Sequence, residues 1–472
     1  MCLAWTNEQH AQQFASYASL YDLQAELLHA GVMHKRWLAA VTLACSANAL
    51  VAPRPAVQLR IAAASEEPPP QPTLAAETLS GINVAFSLLS KAVACSAIVG
   101  VDPLAGLWSS VALGGASLVG GMRPGVIAGS AAVVAVPLGA FAATKGTALV
   151  PLVVLLAALL EGIAGALGLA RAVDLVSAEV LAGFLNALGA ALLMSQVSTL
   201  SASPYAAGVA GLCVVLTRVL PSKPIPSSLV GLAVASAVGS VLGLDGLAAA
   251  NPAAFEGGLA ALPTPPDLAP LLTADAVAVA LPAACGIAFI SILETLLAAR
   301  VVDDNRCEEL CTFFYDEDGE IVLEGEGRPL DVPTSSVLAL SLGNAVSAVT
   351  GGFGGCGLVP QTVLNLQSGG AGVASVASYA SSMALFGLVL APAVGQISAA
   401  ALAGVLVTVS LDTIQWRPTI DTLRAALDDD DDARRRLVVL VVTAVLCYEV
   451  GFAVGIVAGV ALDKAPSMRR VY

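Results

Sequence analysis

From Leu79 to Ala465 the chain is a succession of long apolar stretches broken by Gly, Pro and a few charges. A helix that crosses a bilayer needs about 20 apolar residues, and Pro or Gly punctuation marks its ends. On that rule the segments fall at 79–98, 104–120, 126–141, 147–169, 174–199, 205–220, 225–244, 272–299, 334–350, 355–367, 373–391, 397–412, 434–449 and 451–465. Only 12% of the 472 residues are charged, against about 25% in an ordinary soluble domain. So little charge could not keep a soluble surface of this size wet. A soluble enzyme, a disordered scaffold and a coiled coil are excluded. The expectation is an all-α membrane protein with 14 transmembrane segments.

Two segments are short, the third (VIAGSAAVVAVPLGAF) and the tenth (GCGLVPQTVLNLQ). A Gly-rich break precedes each, GGMRPG at Gly120–Gly125 and GGFGG at Gly351–Gly355. Divided seven plus seven, these are the third segments of the two halves. An odd repeat length turns the halves upside down relative to each other. Paired short, Gly-interrupted segments at matching positions point to a transporter site at the bilayer midplane.

Charge placement checks the count independently, because cytoplasmic loops collect Lys and Arg. With both ends on one face, that face receives Arg123, Arg171, Arg218, Lys223, Arg300, Arg306, Arg328, Arg417, Arg424, Arg434, Arg435, Arg436, Lys464, Arg469 and Arg470. The opposite face receives Lys145, and the loop from Leu244 to Leu272 carries neither residue type. A miscount of one span would scramble this sorting.

The rest of the composition excludes more than it assigns. A formal charge of −14 argues against a nucleic-acid partner, which needs basic stripes. Cys95, Cys213, Cys285 and Cys356 lie in apolar runs and read as small buried hydrophobes. Cys307 and Cys311 have no nearby His, so no metal or other cofactor is expected. His10, His29 and His34 all precede the membrane region, which rules out a histidine proton relay within it. No nucleophile–base pair is present, and no enzyme is expected.

Residues 1–78 form an N-terminal extension with a Pro-rich hinge at Glu66–Pro72. From Met33 a basic start, an apolar stretch (Trp37–Cys45) and small residues have the parts of a cleavable signal. Val51–Ser65, basic and rich in Ala, resembles a plastid transit segment. The other reading is a disordered tail with one amphipathic helix. The expected location is the plasma membrane or a plastid envelope. Residues 79–465 form the membrane domain, with an acidic insertion at 303–332, and 466–472 a short tail. The acidic insertion and the Asp428–Asp432 run read as solvated spacers, the alternative being contact with a basic partner.

The segments SLLSKAVACSAIVGVDPLAGLWSS, GGMRPGVIAGSAAVVAV, LPSKPIPSSLVG, ISILETLLAARVVDD and GGFGGCGLVPQTVLNLQSGG, in that order over residues 80–465, resemble the SulP family of anion transporters, relatives of the animal SLC26 proteins. The resemblance implies a seven-plus-seven inverted repeat. Segments 1–4 and 8–11 would form a core domain and segments 5–7 and 12–14 a gate domain, with elevator-like motion between them. Family members usually end in a cytoplasmic STAS domain, whereas Tyr472 follows directly on the last span, so a membrane domain without that appendage is expected. The fold also permits a homodimer in the bilayer.

Helix N-termini offer unpaired N–H groups and about half a positive charge, which suits an anion leaving water. The resemblance places the backbone of Gly129, Ser130, Ala131 and Ala132 opposite that of Cys356, Gly357, Leu358, Val359 and Pro360, with Ser130, Gln361 and Thr362 as side-chain donors. Gln361 stands where many relatives carry Arg. Two charges at bilayer depth, Lys91 and Glu294, occupy equivalent positions in the repeats and are expected to pair or to alternate partners. Glu294 matches a family acid associated with cation coupling. Ala298 and Val359 offer no hydroxyl for Na⁺, which favours H⁺ coupling or exchange. Glu161 and Glu449 read as charges hydrated at helix ends. The leading expectation is secondary active transport of a small inorganic anion, bicarbonate or sulfate. The alternatives are a nucleobase or dicarboxylate carrier of the same fold and a non-transporting scaffold or motor.

Overall fold

The computed structural model describes residues 73–168, 176–220, 226–244, 256–310, 314–315, 321–322, 333–427 and 431–465. The targeting segment, the hinge, the tail, Cys311 and most of the acidic insertion lie outside the described residues.

Each apolar segment carries a helix. The first seven are α1 (Leu74–Val99), α2 (Ala105–Val119), α3 (Ala132–Lys145), α4 (Val150–Ala166), α5 (Ala178–Ser195), α6 (Pro204–Val219) and α7 (Ser227–Val241). The second seven are α8 (Ala274–Leu310), α9 (Pro333–Val349), α10 (Val359–Gln367), α11 (Val373–Val389), α12 (Ala399–Thr413), α13 (Asp431–Glu449) and α14 (Phe452–Lys464). Local chemistry sets several of the ends. Thr73 Oγ1 accepts the N–H of Ala76 at the start of α1, and Gly100 closes that helix in the left-handed region at φ 77°. Ser203 caps α6 in the same way, with Pro204 in the first turn. Five helical stretches among the described residues are long and apolar enough to cross a membrane, and six shorter helices of 10–17 residues are apolar.

Helix packing obeys one symmetry rule. α1 packs on α11 and α8 on α4; α2 packs on α11 and α9 on α4; α5 packs on α13 and α12 on α6; α6 packs on α7 and α13 on α14. Adding seven to each label converts one member of every pair into the other, while α2–α9 and α5–α12 map onto themselves. Two bodies result, α1–α4 with α8–α11 and α5–α7 with α12–α14, which meet mainly where α1 touches α7 and α12 and where α8 touches α14. This is the seven-plus-seven inverted repeat with core and gate.

Small residues allow the close approach, as expected where lipid supplies no hydrophobic drive between helices. A Cβ on Gly106 would lie 2.2 Å from the carbonyl oxygen of Ala92, so α1 and α2 meet backbone to backbone. The Gly106 N–H donates to Ser96 Oγ at 2.8 Å across the same contact.

Three features depart from the segment reading. Trp416–Leu427, which the charge sorting treats as loop, is a twelve-residue amphipathic helix packed on α13. Asn186 on α5 anchors it by accepting the N–H of Gln415 and donating to Thr419 Oγ1, both at 2.8 Å. α8 runs on to Leu310, so the acidic insertion begins as helix. Cys285 is exposed rather than buried, because it lies on an outward face of α8.

Arg123, in the first Gly-rich break, forms an ion pair with Asp303 near the end of α8. Asp303 is 4% exposed and Arg123 30%, so removing one partner strands a nearly buried charge. Arg123→Gln should lower stability by about 1–2 kcal/mol, a figure discounted for the exposure of the guanidinium. Thermal unfolding in detergent checks this, with an unchanged midpoint as the contrary result.

Candidate functional site

The two Gly-rich breaks bring the repeats together at the centre of the core body. Each turns the chain with two left-handed glycines, Gly121 (φ 74°) and Gly125 (φ 95°) in the first, Gly351 (φ 89°) and Gly354 (φ 76°) in the second. Each then leads into a two-residue strand, β1 (Ala128–Gly129) and β2 (Cys356–Gly357). The strands cross antiparallel, Ala128 opposite Gly357 and Gly129 opposite Cys356. Contact is so tight that a Cβ on Gly355 would lie 2.0 Å from the Gly129 carbonyl oxygen. Only glycine fits there.

The crossing is braced from both sides. Behind β1, Ser110 Oγ on α2 accepts the Ser130 N–H at 3.0 Å, and Tyr379 on α11 donates its hydroxyl to Ala128 O at 3.1 Å. Behind β2, Asn344 on α9 accepts the Gly355 N–H at 2.9 Å and donates to Gly355 O at 3.2 Å. Thr295 Oγ1 on α8 accepts the Gly357 N–H at 2.8 Å, and Ser109 Oγ accepts that of Phe353 at 3.0 Å. Two further ties join the breaks directly: Leu358 N–H to Ile127 O at 2.8 Å, and Asn365 Nδ2 to Gly125 O at 3.0 Å.

Beyond the crossing the chain enters α3 after Ala131 and α10 after Leu358. Neither cap residue is capped by a side chain. Both half-helices therefore begin with N–H groups that their own sequence does not satisfy. At these tips Ala132 and Val359 are half-buried and Pro360 is exposed, while the strands behind them are buried. Pro360 contributes no N–H but fits the first turn.

Several expected donors are already engaged. Gly129 and Cys356 pair in the ladder, and the amides of Ser130, Gly357 and Leu358 go to Ser110, Thr295 and Ile127. The Ser130 hydroxyl shares a hydrogen bond with Ser110, and Thr362 Oγ1 accepts the Ile127 N–H at 3.1 Å. These residues build the crossing. Ala131, Ala132 and Val359 form the tips, with the Gln361 side chain buried beside them.

Lys91 and Glu294 form no ion pair with each other, and neither belongs to an N···O contact within 4.0 Å among the described residues. The reason lies in the packing. α1 lies against α3, α10 and α12, and α8 against α3, α4 and α10, with the strand crossing between them. The carboxylate whose field reaches Lys91 is Asp412 on α12, which also pairs with Arg218 at 2.6 Å. Glu294 is 8% exposed. Beside Lys91, the buried Ser90 hydroxyl has no hydrogen-bond partner and lines a cavity of about 310 Å³ between α1, α7 and Leu390–Ile397.

Glu449 is exposed at the end of α13, but Glu161 is not hydrated at a helix end. It is fully buried, and Asn344 Nδ2 contacts its two oxygens at 3.0 and 2.9 Å. The braces Ser110, Asn344, Thr295 and Tyr379 also went unread in the sequence. A lone Asn and a lone Glu inside apolar runs were the available signal.

The fold defines the class, a multi-pass membrane protein of the inverted-repeat type with core and gate. Residues 74–238 match the sequence profile of the Sulfate permease family. Over 346 residues the chain is 27% identical to the "Putative sulfate transporter YbaR" of Bacillus subtilis (strain 168), covering 72% of this chain and 67% of that one. It is 27% identical over 270 residues to the "Probable sulfate transporter MT1781" of Mycobacterium tuberculosis (strain CDC 1551 / Oshkosh), covering 50% of this chain. That match spans only about half, 47%, of the mycobacterial protein. Among solved structures, the transmembrane domain of the cyanobacterium bicarbonate transporter BicA superposes with a TM-score of 0.65 at 22% identity, covering 82% of this chain and 97% of that one. Over those stretches the chain is similar to sulfate permease family proteins and shares the fold of the BicA transmembrane domain. The matched relatives are named as transporters.

Proposed function

We propose that this chain is a secondary active transporter of a small inorganic anion, with bicarbonate and sulfate as the leading substrates. The observation that carries the proposal is that two uncapped half-helices, one from each inverted repeat, both start from the strand crossing in the core body. Each tip offers N–H groups and about half a positive charge, and neither brings a counter-anion. The names of the matched relatives supply the two candidate anions. All fourteen helices cross the bilayer, with both ends on the face that collects Arg and Lys. The core body carries the anion past the gate in an elevator-like stroke. Glu294 takes the coupling role, with H⁺ favoured over Na⁺ because Ala298 and Val359 lack hydroxyls. A plastid address would suit bicarbonate.

Tracer uptake into proteoliposomes tests this, with bicarbonate, sulfate, nitrate and chloride offered with and without Na⁺ and a proton gradient. Saturable uptake of one of the first two, driven by the proton gradient, is the expected result. No anion flux under any condition would contradict the proposal.

Lys91 gives a second test. It stands in α1 beside the core–gate contact and has no ion-pair partner within 4.0 Å among the described residues, which leaves its charge for the anion path. Lys91→Gln should raise the KM for the transported anion several-fold. Unchanged kinetics would assign Lys91 to the interface instead.

A further inference from the structure

The crossed strands are held by two braces that the repeat symmetry relates but whose chemistry differs. Behind β1, α2 supplies Ser110 and α11 supplies the phenol of Tyr379. Behind β2, α9 supplies Asn344 and α4 supplies Glu161. Adding seven to α2 and α4 gives α9 and α11, so Glu161 lies on the counterpart of the helix that carries Tyr379, reaching β2 through Asn344 where Tyr379 reaches β1 directly. One brace therefore ends in a group that stays neutral at ordinary pH. The other ends in a group that can gain or lose a proton.

The surroundings of Glu161 are all uncharged or acidic. Asn344 comes from α9, a helix with no Asp, Glu, Lys or Arg between residues 333 and 349. From α8 come Ser291, whose buried hydroxyl approaches Glu161 without an aligned hydrogen bond, and Glu294 one turn further on. From β2 comes the Cys356 thiol. No described cation forms an ion pair with Glu161. Asn344 has two N–H bonds but faces three acceptors: both Glu161 oxygens and Gly355 O. It cannot serve all three fully at once. When Glu161 takes up a proton, one of its oxygens becomes a donor, and an Asn344 N–H is released to Gly355. When that proton leaves, Asn344 is drawn back toward the carboxylate. Gly355 leads directly into β2 and the α10 tip.

We infer that Glu161 is a second protonatable group of the transport cycle, a positioning residue whose proton sets the α10 tip through Asn344 and Gly355. The Ser291 hydroxyl, near Glu161 and one turn from Glu294 on α8, is the group through which a proton would reach it. The inference rests on the proposal that the tips hold the anion. A proton held at Glu161 favours the tip position that binds anion, so anion affinity falls as pH rises.

Two measurements on the full chain test this. In proteoliposomes, the KM of wild type for sulfate or bicarbonate should rise by roughly fivefold or more from mildly acidic to mildly basic pH, the scale of ordinary site coupling. Glu161→Gln, which keeps the shape and is permanently neutral, should hold the KM near its acidic value throughout. An E161Q variant that follows the wild-type pH profile overturns the inference. The second measurement needs no transport: an infrared difference spectrum, wild type minus E161Q, over a pH series with and without sodium sulfate or sodium bicarbonate. A protonated-carboxyl C=O band that changes on anion addition supports the inference, and a band that is absent or indifferent to the anions overturns it. If wild type shows no flux, the transport proposal fails on that result, and the infrared response alone then decides the role of Glu161.

Discussion

Replacing Ala132 by Asp should abolish anion uptake while leaving the fold in place. Ala132 is the first residue of α3, where a carboxylate is favoured by the unpaired N–H groups and the helix dipole. The variant should therefore fold as well as wild type or slightly better. The same carboxylate puts a fixed negative charge at the tip where the anion is proposed to sit. Two like charges about 4 Å apart at an effective dielectric of 20 repel by about 4 kcal/mol, roughly a thousandfold in affinity. A structural defect and a binding defect thus move in opposite directions.

The second large effect is expected from Gly355→Ala. The added Cβ would lie 2.0 Å from Gly129 O, 2.6 Å from Gly129 C and 2.7 Å from Leu113 Cδ1. Two of those atoms are backbone on the opposing strand, so the strands must part. Overpacking of this kind costs about 1–3 kcal/mol. Parting the strands also strains the ties from Leu358 N–H to Ile127 O and from Ile127 N–H to Thr362 Oγ1, which fix one tip against the other. Uptake should fall by about tenfold or more, with a lower unfolding temperature in detergent. A fully active G355A would show that the strand crossing does not set the tips. Gly115, which has nothing within 4 Å of an added Cβ, is the control: Gly115→Ala should be close to neutral.

Much of this arrangement could be read in the sequence, for identifiable reasons. The helices follow apolar runs with Gly and Pro between them, and the bilayer enforces that code strictly because unpaired backbone cannot face lipid. The site region could be located because the Gly-rich breaks repeat at matching positions before two short segments. The roles of individual residues there were less legible. Whether the Ser130 amide meets an anion or Ser110 depends on a contact 20 residues away, and the Gly357 amide meets Thr295 across 62. The Glu161–Asn344 contact spans 183 residues, and nothing local marks it beyond two polar residues in apolar runs. The sequence suggests pairing Lys91 with Glu294 because both are charges at bilayer depth in equivalent positions. Equivalence in the repeat does not bring them together, since α1 packs on α3 and α10 and α8 on their counterparts α10 and α3.

Parallel tracer uptake by wild type and A132D, reconstituted at equal density and matched for unfolding temperature, bears most directly on the anion site at the α3 and α10 tips. The expected result is saturable bicarbonate or sulfate uptake by wild type and background counts for A132D. Uptake by A132D equal to wild type would place the anion elsewhere.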